Sequence, residues 1–243
     1  MSTQTTSAFR VQRAGERAFF NHGWLQTYHS FSFADYVDPN NLNWGALRVF
    51  NDDVIAAGSG FPTHPHRDME ILTYVLDGEL EHRDSLENRG IVRPGGVQYV
   101  SAGTGISHSE FNHSQTAPLR LVQMWVLPNA RGLRPNYGQV DYTREERLDR
   151  WLAIASGEPG KTSRIAINRN ATAYVARVEN APLSYALGSG RLGFLFVATG
   201  SVEADGERLY AGDAVRLTGP HDPQLNGEAE LVLWDVPPLE ATR

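Results

Sequence analysis

Four residues able to bind a metal ion lie in two short segments of the first half of the chain. His64 and His66 lie in GSGFPTHPHRDME, separated by one proline, and His108 and Glu110 lie in GTGISHSEFNH further along. Residues i and i+2 of a β-strand point to the same face, so each pair projects together. If the two pairs occupy neighbouring strands, three imidazoles and one carboxylate meet at one point. Such a set binds a divalent transition metal and leaves one or two coordination positions open.

The residues around these pairs favour a preorganised site. Pro65 stiffens the chain between the first two histidines. Gly103 and Gly105 allow the chain to bend sharply just before the second pair. Glu70 follows His66 by four residues, where many metal-binding β-barrels keep a carboxylate ligand. Because Glu110 already completes the ligand set, we assign Glu70 a supporting or structural role.

The remaining histidines stand alone, and a single histidine in a β protein is more often structural than a ligand. His22 and His29 lie among aromatic residues and are interpreted as packing or hydrogen-bonding residues. His82, in the charged segment EHRDS, is predicted to lie on a solvated hairpin. His113 is out of phase with the second pair and should face away, and His221 is interpreted as a loop residue.

The elements that must position these side chains read as strands. Between residues 70 and 127 short apolar runs alternate with turn residues, which is typical of a β-sandwich or barrel. The run EILTYVL is apolar on both faces, as in a strand covered on both sides, and Asp77-Gly78 after it predicts a hairpin. Thr143 and Glu146 have the spacing of a capping box, which predicts a brief helix before the β pattern resumes at Trp151.

A weak internal repeat divides the chain into two β units, 1–135 and 136–243. Aligning Gly78 with Gly200 and Gly95 with Gly212 superposes the order strand, glycine turn, strand, glycine turn, strand. The second unit has no metal-binding side chain at the positions equivalent to the four candidate ligands, which are Ala186, Gly188, Leu225 and Gly227. The metal is therefore expected in the first unit, and a structural or lid role in the second.

Composition excludes several classes of protein. The 243 residues include no cysteine, which removes disulfides, thiolate ligands and a cysteine nucleophile. The net charge of −6 argues against broad contact with nucleic acid, and the apolar runs are too short to span a membrane. The N-terminal segment lacks the apolar core of a secretory signal, so we expect a cytoplasmic protein.

The same motifs resemble a known family. Gly58, His64, His66 and Glu70 fit the G(x)5HxH(x)3E spacing of the cupin superfamily. More closely, THPHRDMEILTYVLDGELEHRDS, PGGVQYVSAGTGISHSE, NHGWLQTYHSFSFADYVDP and WGALRVFNDDVI are similar to the pirin family, in particular to its bacterial quercetinase-like members. The resemblance covers nearly the whole chain and is weaker in the second half. It implies an all-β bicupin, two cupin barrels face to face, with His64, His66, His108 and Glu110 as the metal ligands.

The resemblance implies two functions. The first is a quercetin 2,3-dioxygenase, which opens a flavonol ring with O2 and releases carbon monoxide. Iron(II) is then the expected metal, although manganese, cobalt, nickel, copper and zinc suit the ligands too. Glu110 would accept the proton of the flavonol 3-hydroxyl.

The second function is a metal-dependent or redox-sensing regulator that binds a protein partner. An unrelated cupin oxygenase or isomerase stays open as a third. A flavonol-like small molecule and O2 are the expected partners, and a monomer the default state. Phe31, Phe33 and Phe61 are candidates for lining a flat pocket, with core packing favoured for each.

Overall fold

The computed structural model describes residues 8–239, and nearly all regular structure in that range is β. A 3-10 helix spans Ala14–Glu16 and the short helix α1 spans Arg144–Arg147. The strands of the described range are β1 (Phe9–Gln12), β2 (Ala18–Asn21), β3 (Leu25–His29), β4 (Leu47–Ile55), β5 (Gly60–His66), β6 (Glu70–Asp77), β7 (Leu80–Asp84), β8 (Arg89–Val92), β9 (Val97–Ser101), β10 (Ile106–Asn112), β11 (Leu119–Val126), β12 (Asn136–Val140), β13 (Leu152–Ser156), β14 (Ile165–Ala166), β15 (Thr172–Val178), β16 (Leu183–Ser184), β17 (Leu192–Ala204), β18 (Glu207–Tyr210), β19 (Ala214–Thr218) and β20 (Gln224–Val236).

The strands form three sheets and two barrels, so the predicted all-β bicupin is confirmed. A seven-stranded sheet in the order β12-β9-β6-β11-β4-β3-β2 faces a four-stranded sheet in the order β5-β10-β7-β8, and together they make the first barrel. The second barrel is built from one nine-stranded sheet whose main path runs β1-β19-β17-β20-β15-β13-β14.

The largest hydrophobic core lies between the barrels, where the seven-stranded and nine-stranded sheets meet. Phe50 of β4 packs against Phe194 and Phe196 of β17, each with ring centroids 4.9 Å away. Trp234 of β20 donates its indole N–H to the sulfur of Met124 on β11, at 3.0 Å. Face-to-face packing of two sheets explains why β6 is apolar on both sides, since one face serves the interface and the other the barrel interior.

The predicted hairpin at Asp77-Gly78 is wrong. β6 lies in the seven-stranded sheet and β7 in the four-stranded sheet, so the two strands do not pair with each other. Gly78 has a φ of +80°, and a Cβ there would lie 2.8 Å from the carbonyl oxygen of Pro118. A glycine with positive φ serves a chain that turns from one sheet into another as well as it serves a hairpin.

Identical backbone contacts in the two barrels support the internal repeat. In the first barrel Val75 accepts a hydrogen bond from the N–H of Gly95 and donates its own N–H to Gly96. In the second barrel Val197 accepts from Gly212 and donates to Asp213. Each valine lies three residues before the aligned glycine of its unit, Gly78 or Gly200. Where the first barrel has two separate strands, β6 and β7, the second barrel has the single long strand β17. This strand has a β-bulge between residues 197 and 199.

Two strands are exchanged between the barrels. β1 pairs with β19 of the nine-stranded sheet, and β12 pairs with β9 of the seven-stranded sheet. The division at residues 135/136 stays a prediction. β1 precedes this division but joins the sheet of the second barrel, and β12 follows it but joins a sheet of the first barrel. The predicted capping box before α1 is confirmed, with the N–H of Thr143 donating to the Glu146 carboxylate at 2.8 Å. No helix within residues 8–239 has the length and apolar character needed to cross a bilayer.

Candidate metal centre

β5 and β10 bring three of the four predicted ligands, His64, His66 and His108, into one group, whereas Glu110 falls in a second group with His108. The strands are antiparallel neighbours, with His64 directly opposite His108. A β-bulge between residues 108 and 110 shifts the register, so Glu110 lies opposite Phe61. The ring centroids of His64 and His66 are 4.7 Å apart, and those rings lie 4.7 and 4.9 Å from the ring of His108. A ligand nitrogen from each of the three lies within 4.8 Å of the others.

Unpartnered nitrogen atoms show that the three histidines fit a metal ion. His108 is 1% exposed, and neither of its ring nitrogens has a hydrogen-bond partner. His64 engages the carbonyl oxygen of Pro62 through Nδ1 at 2.8 Å, which leaves Nε2 for a ligand. Burial, with smaller contributions from the imidazoles of His108 and His64, lowers the pKa of His66 to about 4, and burial also lowers the pKa of His108. The rings of His66 and His108 are therefore neutral near pH 7, which is the form that binds metals.

Glu110 is buried and held by amide donors from the opposite sheet. Its Oε1 accepts from Gln98 Nε2 at 2.5 Å and from Thr73 Oγ1 at 3.4 Å, and its Oε2 accepts from Gln123 Nε2 at 2.8 Å. Burial alone would raise the pKa of Glu110, but His108 and the other neighbours lower it below its ordinary value. Glu110 is therefore an ionised carboxylate, and each oxygen keeps a lone pair free of amide donors.

His82 is buried, and its predicted place on a solvated hairpin is wrong. β7 pairs with β10 and sets His82 opposite Glu110, so the ring points into the barrel. Its Nε2 lies 3.1 Å from Asp84 Oδ2, and the ring stacks on Tyr137 with centroids 4.3 Å apart. His82, His108 and Glu110 form a second group with ligand atoms within 4.8 Å of one another.

The period-2 pattern of β7 contained the signal that His82 faces inward. Leu80 and His82 are buried, whereas Arg83 between His82 and Asp84 is exposed. The charged neighbours Glu81 and Arg83 suggested that His82 is exposed to solvent, but on a strand these neighbours point to the opposite face.

A cavity of about 260 Å³ opens beside the histidines. That volume is just under the roughly 300 Å³ typical of small-molecule pockets. Phe33 packs edge-on against Trp125, and Trp125 packs edge-on against His66 with centroids 4.9 Å apart. The residues that line the cavity are Leu25, Thr27, His29, Phe33, Asn51, Asp53, Phe61, His64, His66, Glu110, Gln123 and Trp125. Core packing was favoured for all three phenylalanines. It holds for Phe31, which packs against Phe194, but Phe33 and Phe61 line the cavity.

The floor of the site is a row of polar residues that sequence reasoning missed. His29, Asn51, Gln123, Thr73 and Gln98 lie opposite one another in register across β3, β4, β11, β6 and β9. All five are buried. The five residues come from five different strands, so the row exists only once the strands pair.

Asp53 on β4 and His29 on β3 complete the cavity's polar side. Burial, together with the charges of Asp52 and Glu110, raises the pKa of Asp53 to about 7. Burial likewise lowers the pKa of His29 to about 4. Both shifts favour the neutral form, because neither group has an opposite charge in contact within the barrel.

Glu70 lies outside both groups of ligand atoms and has the structural role predicted for it. Its carboxylate accepts hydrogen bonds from Tyr99 Oη at 2.6 Å, Ser101 Oγ at 2.7 Å and the backbone N–H of Asn168 at 2.9 Å. Since Asn168 follows β14, Glu70 ties the first barrel to the second. His113 faces away from the site as predicted and pairs with Glu81 at 3.0 Å.

Comparison with known proteins identifies related families and related chains. A family described as Pirin matches residues 9–126, and one described as Quercetinase C-terminal cupin domain matches residues 153–236. A Pseudomonas aeruginosa protein provisionally named quercetin 2,3-dioxygenase is 48% identical over 81% of this chain and 85% of its own. The quercetin 2,3-dioxygenase of Escherichia coli K12 is 38% identical over 94% of this chain and 99% of its own.

A solved structure adds a metal to the comparison. The bacterial pirin YhhW of Escherichia coli, crystallised in complex with nickel(II), superposes with a TM-score of 0.87 and 37% identity. The match covers 95% of this chain and 99% of that one. With the cluster of unpartnered imidazoles described above, this supports one metal ion in the first barrel.

Proposed function

This chain belongs to the pirin family, and we propose that it is a metal-dependent dioxygenase of the quercetin 2,3-dioxygenase type. In that reaction O2 opens the central ring of a flavonol and carbon monoxide is released. The observation that carries the proposal is a cluster of three imidazoles, one buried and two half-buried, at the wall of an aromatic-lined cavity. Structural metal sites are closed by protein, whereas catalytic sites keep a position open to a substrate.

The proposed metal ligands are His64, His66, His108 and Glu110, and iron(II) is the proposed metal. A related protein was crystallised with nickel(II), and imidazole and carboxylate ligands suit several divalent ions, so the other candidate metals are kept in the test below. When bound, a divalent ion supplies Lewis acidity that lowers the pKa of a coordinated hydroxyl such as the flavonol 3-hydroxyl. The flavonol itself supplies the electrons that O2 accepts as the ring opens, so no separate reductant is required.

Glu110 is the proposed acceptor of the 3-hydroxyl proton. Its Oε1 and Oε2 are fixed by Gln98 and Gln123, which orient the carboxylate while leaving lone pairs available. An ionised carboxylate beside an acidified hydroxyl needs little movement to take the proton. Phe33 and Trp125 offer flat apolar surfaces against which an aromatic ring can lie, and such surfaces exclude water from the site.

The test is turnover by the metal-loaded protein. Protein freed of metal and reloaded with iron(II), and separately with each of the other candidate ions, is incubated with quercetin in air. We expect loss of flavonol absorbance with matching consumption of O2 and release of carbon monoxide. His108→Ala should lose metal and activity together, whereas His113→Ala, an exposed histidine outside the site, should keep both.

Two outcomes would contradict the proposal. Full metal content in His108→Ala would mean that the ligand set is wrong. Stoichiometric metal with no O2-dependent loss of flavonol under any loading would refute the dioxygenase and favour the metal-dependent regulator.

A further inference from the structure

Four buried polar atoms on one side of the cavity have no partner within the described residues. They are Thr27 Oγ1, His29 Nδ1, Asn51 Oδ1 and Asp53 Oδ1. Their residues are between 2% and 4% exposed, and all four line the cavity. Native proteins pair nearly all buried polar groups, because an unpaired one forfeits its hydrogen bond to water. We call these four residues the polar wall.

Strand register makes the polar wall a compact unit. Thr27 on β3 lies directly opposite Asp53 on β4, and His29 lies opposite Asn51 two residues along. Residues two apart on a strand share a face, so the two cross-strand pairs sit side by side and point into the cavity.

The polar wall continues the row that holds Glu110, but its hydrogen-bonding capacity is not used in the same way. Asn51 lies opposite Gln123 on the next strand. Gln123 donates its amide to Glu110 and accepts from the indole N–H of Trp125 at 3.1 Å. One part of the row is thus occupied in fixing Glu110. In the other part of the row, Asn51 Oδ1 and His29 Nδ1 have no hydrogen-bond partner.

We propose that the polar wall is a subsite for the ring hydroxyl groups of a polyhydroxylated aromatic substrate. This rests on the proposed function, since it assumes that the substrate occupies the cavity beside the metal ligands. Asn51 and Asp53 present acceptor oxygens, while Thr27 and His29 can donate or accept. A phenolic hydroxyl both donates and accepts, so it can satisfy either kind of atom. The apolar Leu25, Phe61 and Trp125 around the wall suit the faces of the ring.

Charge narrows the class of ligand further. No lysine or arginine lines the cavity, and two carboxyl groups do, those of Asp53 and Glu110. Away from the metal, an anionic group such as an aromatic carboxylate would find no cation to pair with among the residues that line the cavity, whereas an uncharged phenol needs none. A hydrocarbon of the same shape would leave the four atoms of the polar wall unpaired.

The experiment separates the ring hydroxyls from the 3-hydroxyl. Dissociation constants are measured without O2 for metal-loaded protein, using quercetin and 3-hydroxyflavone, which lacks the additional ring hydroxyls. Wild-type protein should bind quercetin more tightly. Asn51→Leu should weaken quercetin binding about tenfold or more, and change 3-hydroxyflavone binding by less than about twofold, since that probe makes no hydrogen bond to the wall.

The unfolding temperature distinguishes a binding role of the polar wall from a purely structural one. Asn51→Leu removes a buried atom that has no protein partner, so the metal-free variant should unfold at a temperature equal to or above that of the wild type. Thr27→Val, which is isosteric, tests the same wall should the first variant fail to fold. Asp222→Asn, on an exposed residue of the second barrel, should alter neither affinity nor stability.

The outcomes distinguish the subsite from the catalytic proposal. Equal weakening of both flavonols, or of neither, would refute the subsite even if quercetin is turned over. Unchanged binding of both flavonols would mean that ordered water forms the hydrogen bonds of the polar wall. A quercetin preference that disappears in both wall variants supports the subsite even if no metal gives turnover. Failure of the wild type to bind either flavonol would overturn both proposals.

Discussion

Replacing Gln123 by leucine tests whether the polar row holds Glu110 in place. Gln123 Nε2 lies 2.8 Å from Glu110 Oε2, and both side chains are buried. Leucine has a similar volume but no donor, so the carboxylate oxygen would lose its charge-assisted hydrogen bond. Hydrogen bonds to charged groups are worth about 1.5–3 kcal/mol. We therefore expect the free energy of unfolding of the metal-free protein to fall by about 2 kcal/mol.

The same variant should also bind metal more weakly. Groups that orient a metal ligand typically contribute about 10- to 100-fold to affinity, so the dissociation constant should rise by at least the lower figure. Chemical denaturation measures the first effect, and competition with a chelator of known affinity measures the second. Gln139→Leu is the matched control, because Gln139 lies next in the row opposite Gln98 but is exposed and bonded to Tyr137 and Ile91. Equal effects in the two variants, or unchanged metal affinity in Gln123→Leu, would refute the role assigned to the row.

Two further substitutions test buried carboxyl groups. The pKa of Asp53 is raised from 3.8 to about 7 in the folded protein, so the folded state holds a proton that the unfolded chain releases. The contribution of Asp53 to stability is therefore greatest below pH 4 and falls by up to about 4 kcal/mol as pH rises to 7. Asp53→Asn should flatten this part of the profile of the metal-free protein, and Asp222→Asn should not. Glu70→Gln places an amide donor where Tyr99 and Asn168 already donate, so the free energy of unfolding should fall by about 2 kcal/mol. An unfolding free energy within error of the wild type would contradict the role of Glu70 in joining the two barrels.

The grouping of the three histidines was predictable because each pair of candidate ligands is local in sequence. His64 and His66 share a face by the alternation of a strand, and so do His108 and Glu110. Only the pairing of β5 with β10 had to be assumed. The β-bulge between residues 108 and 110 was not visible, and it changes which residue Glu110 faces.

The repeat was predictable for a similar reason. Positive-φ glycines mark equivalent points of the two barrels at Gly78, Gly200, Gly95 and Gly212. Whether the chain forms a hairpin after such a glycine depends on which sheet the next strand joins. That is decided by packing far away in sequence, so the hairpin at Gly78 was assigned wrongly.

The polar side of the site was out of reach for a different reason. Asn51, Thr73, Gln98 and Gln123 look like ordinary strand residues, and their alignment depends on the register of three neighbouring pairs of strands. His82 was recoverable from the alternation of β7, but its charged neighbours were read as a sign of solvent. Phe33 and Phe61 could not be assigned to core or cavity, since aromatic residues suit both environments.

The exchange of β1 and β12 ties the two halves of the molecule into one folding unit. A fragment ending at residue 135 would leave the edge of β9 unpaired, and the complementary fragment would leave β19 without β1. Unpaired edges of this kind template association with other chains. A cut at residues 135/136 is therefore expected to give each barrel an exposed edge, and the first barrel would lose Tyr137, whose ring stacks on His82.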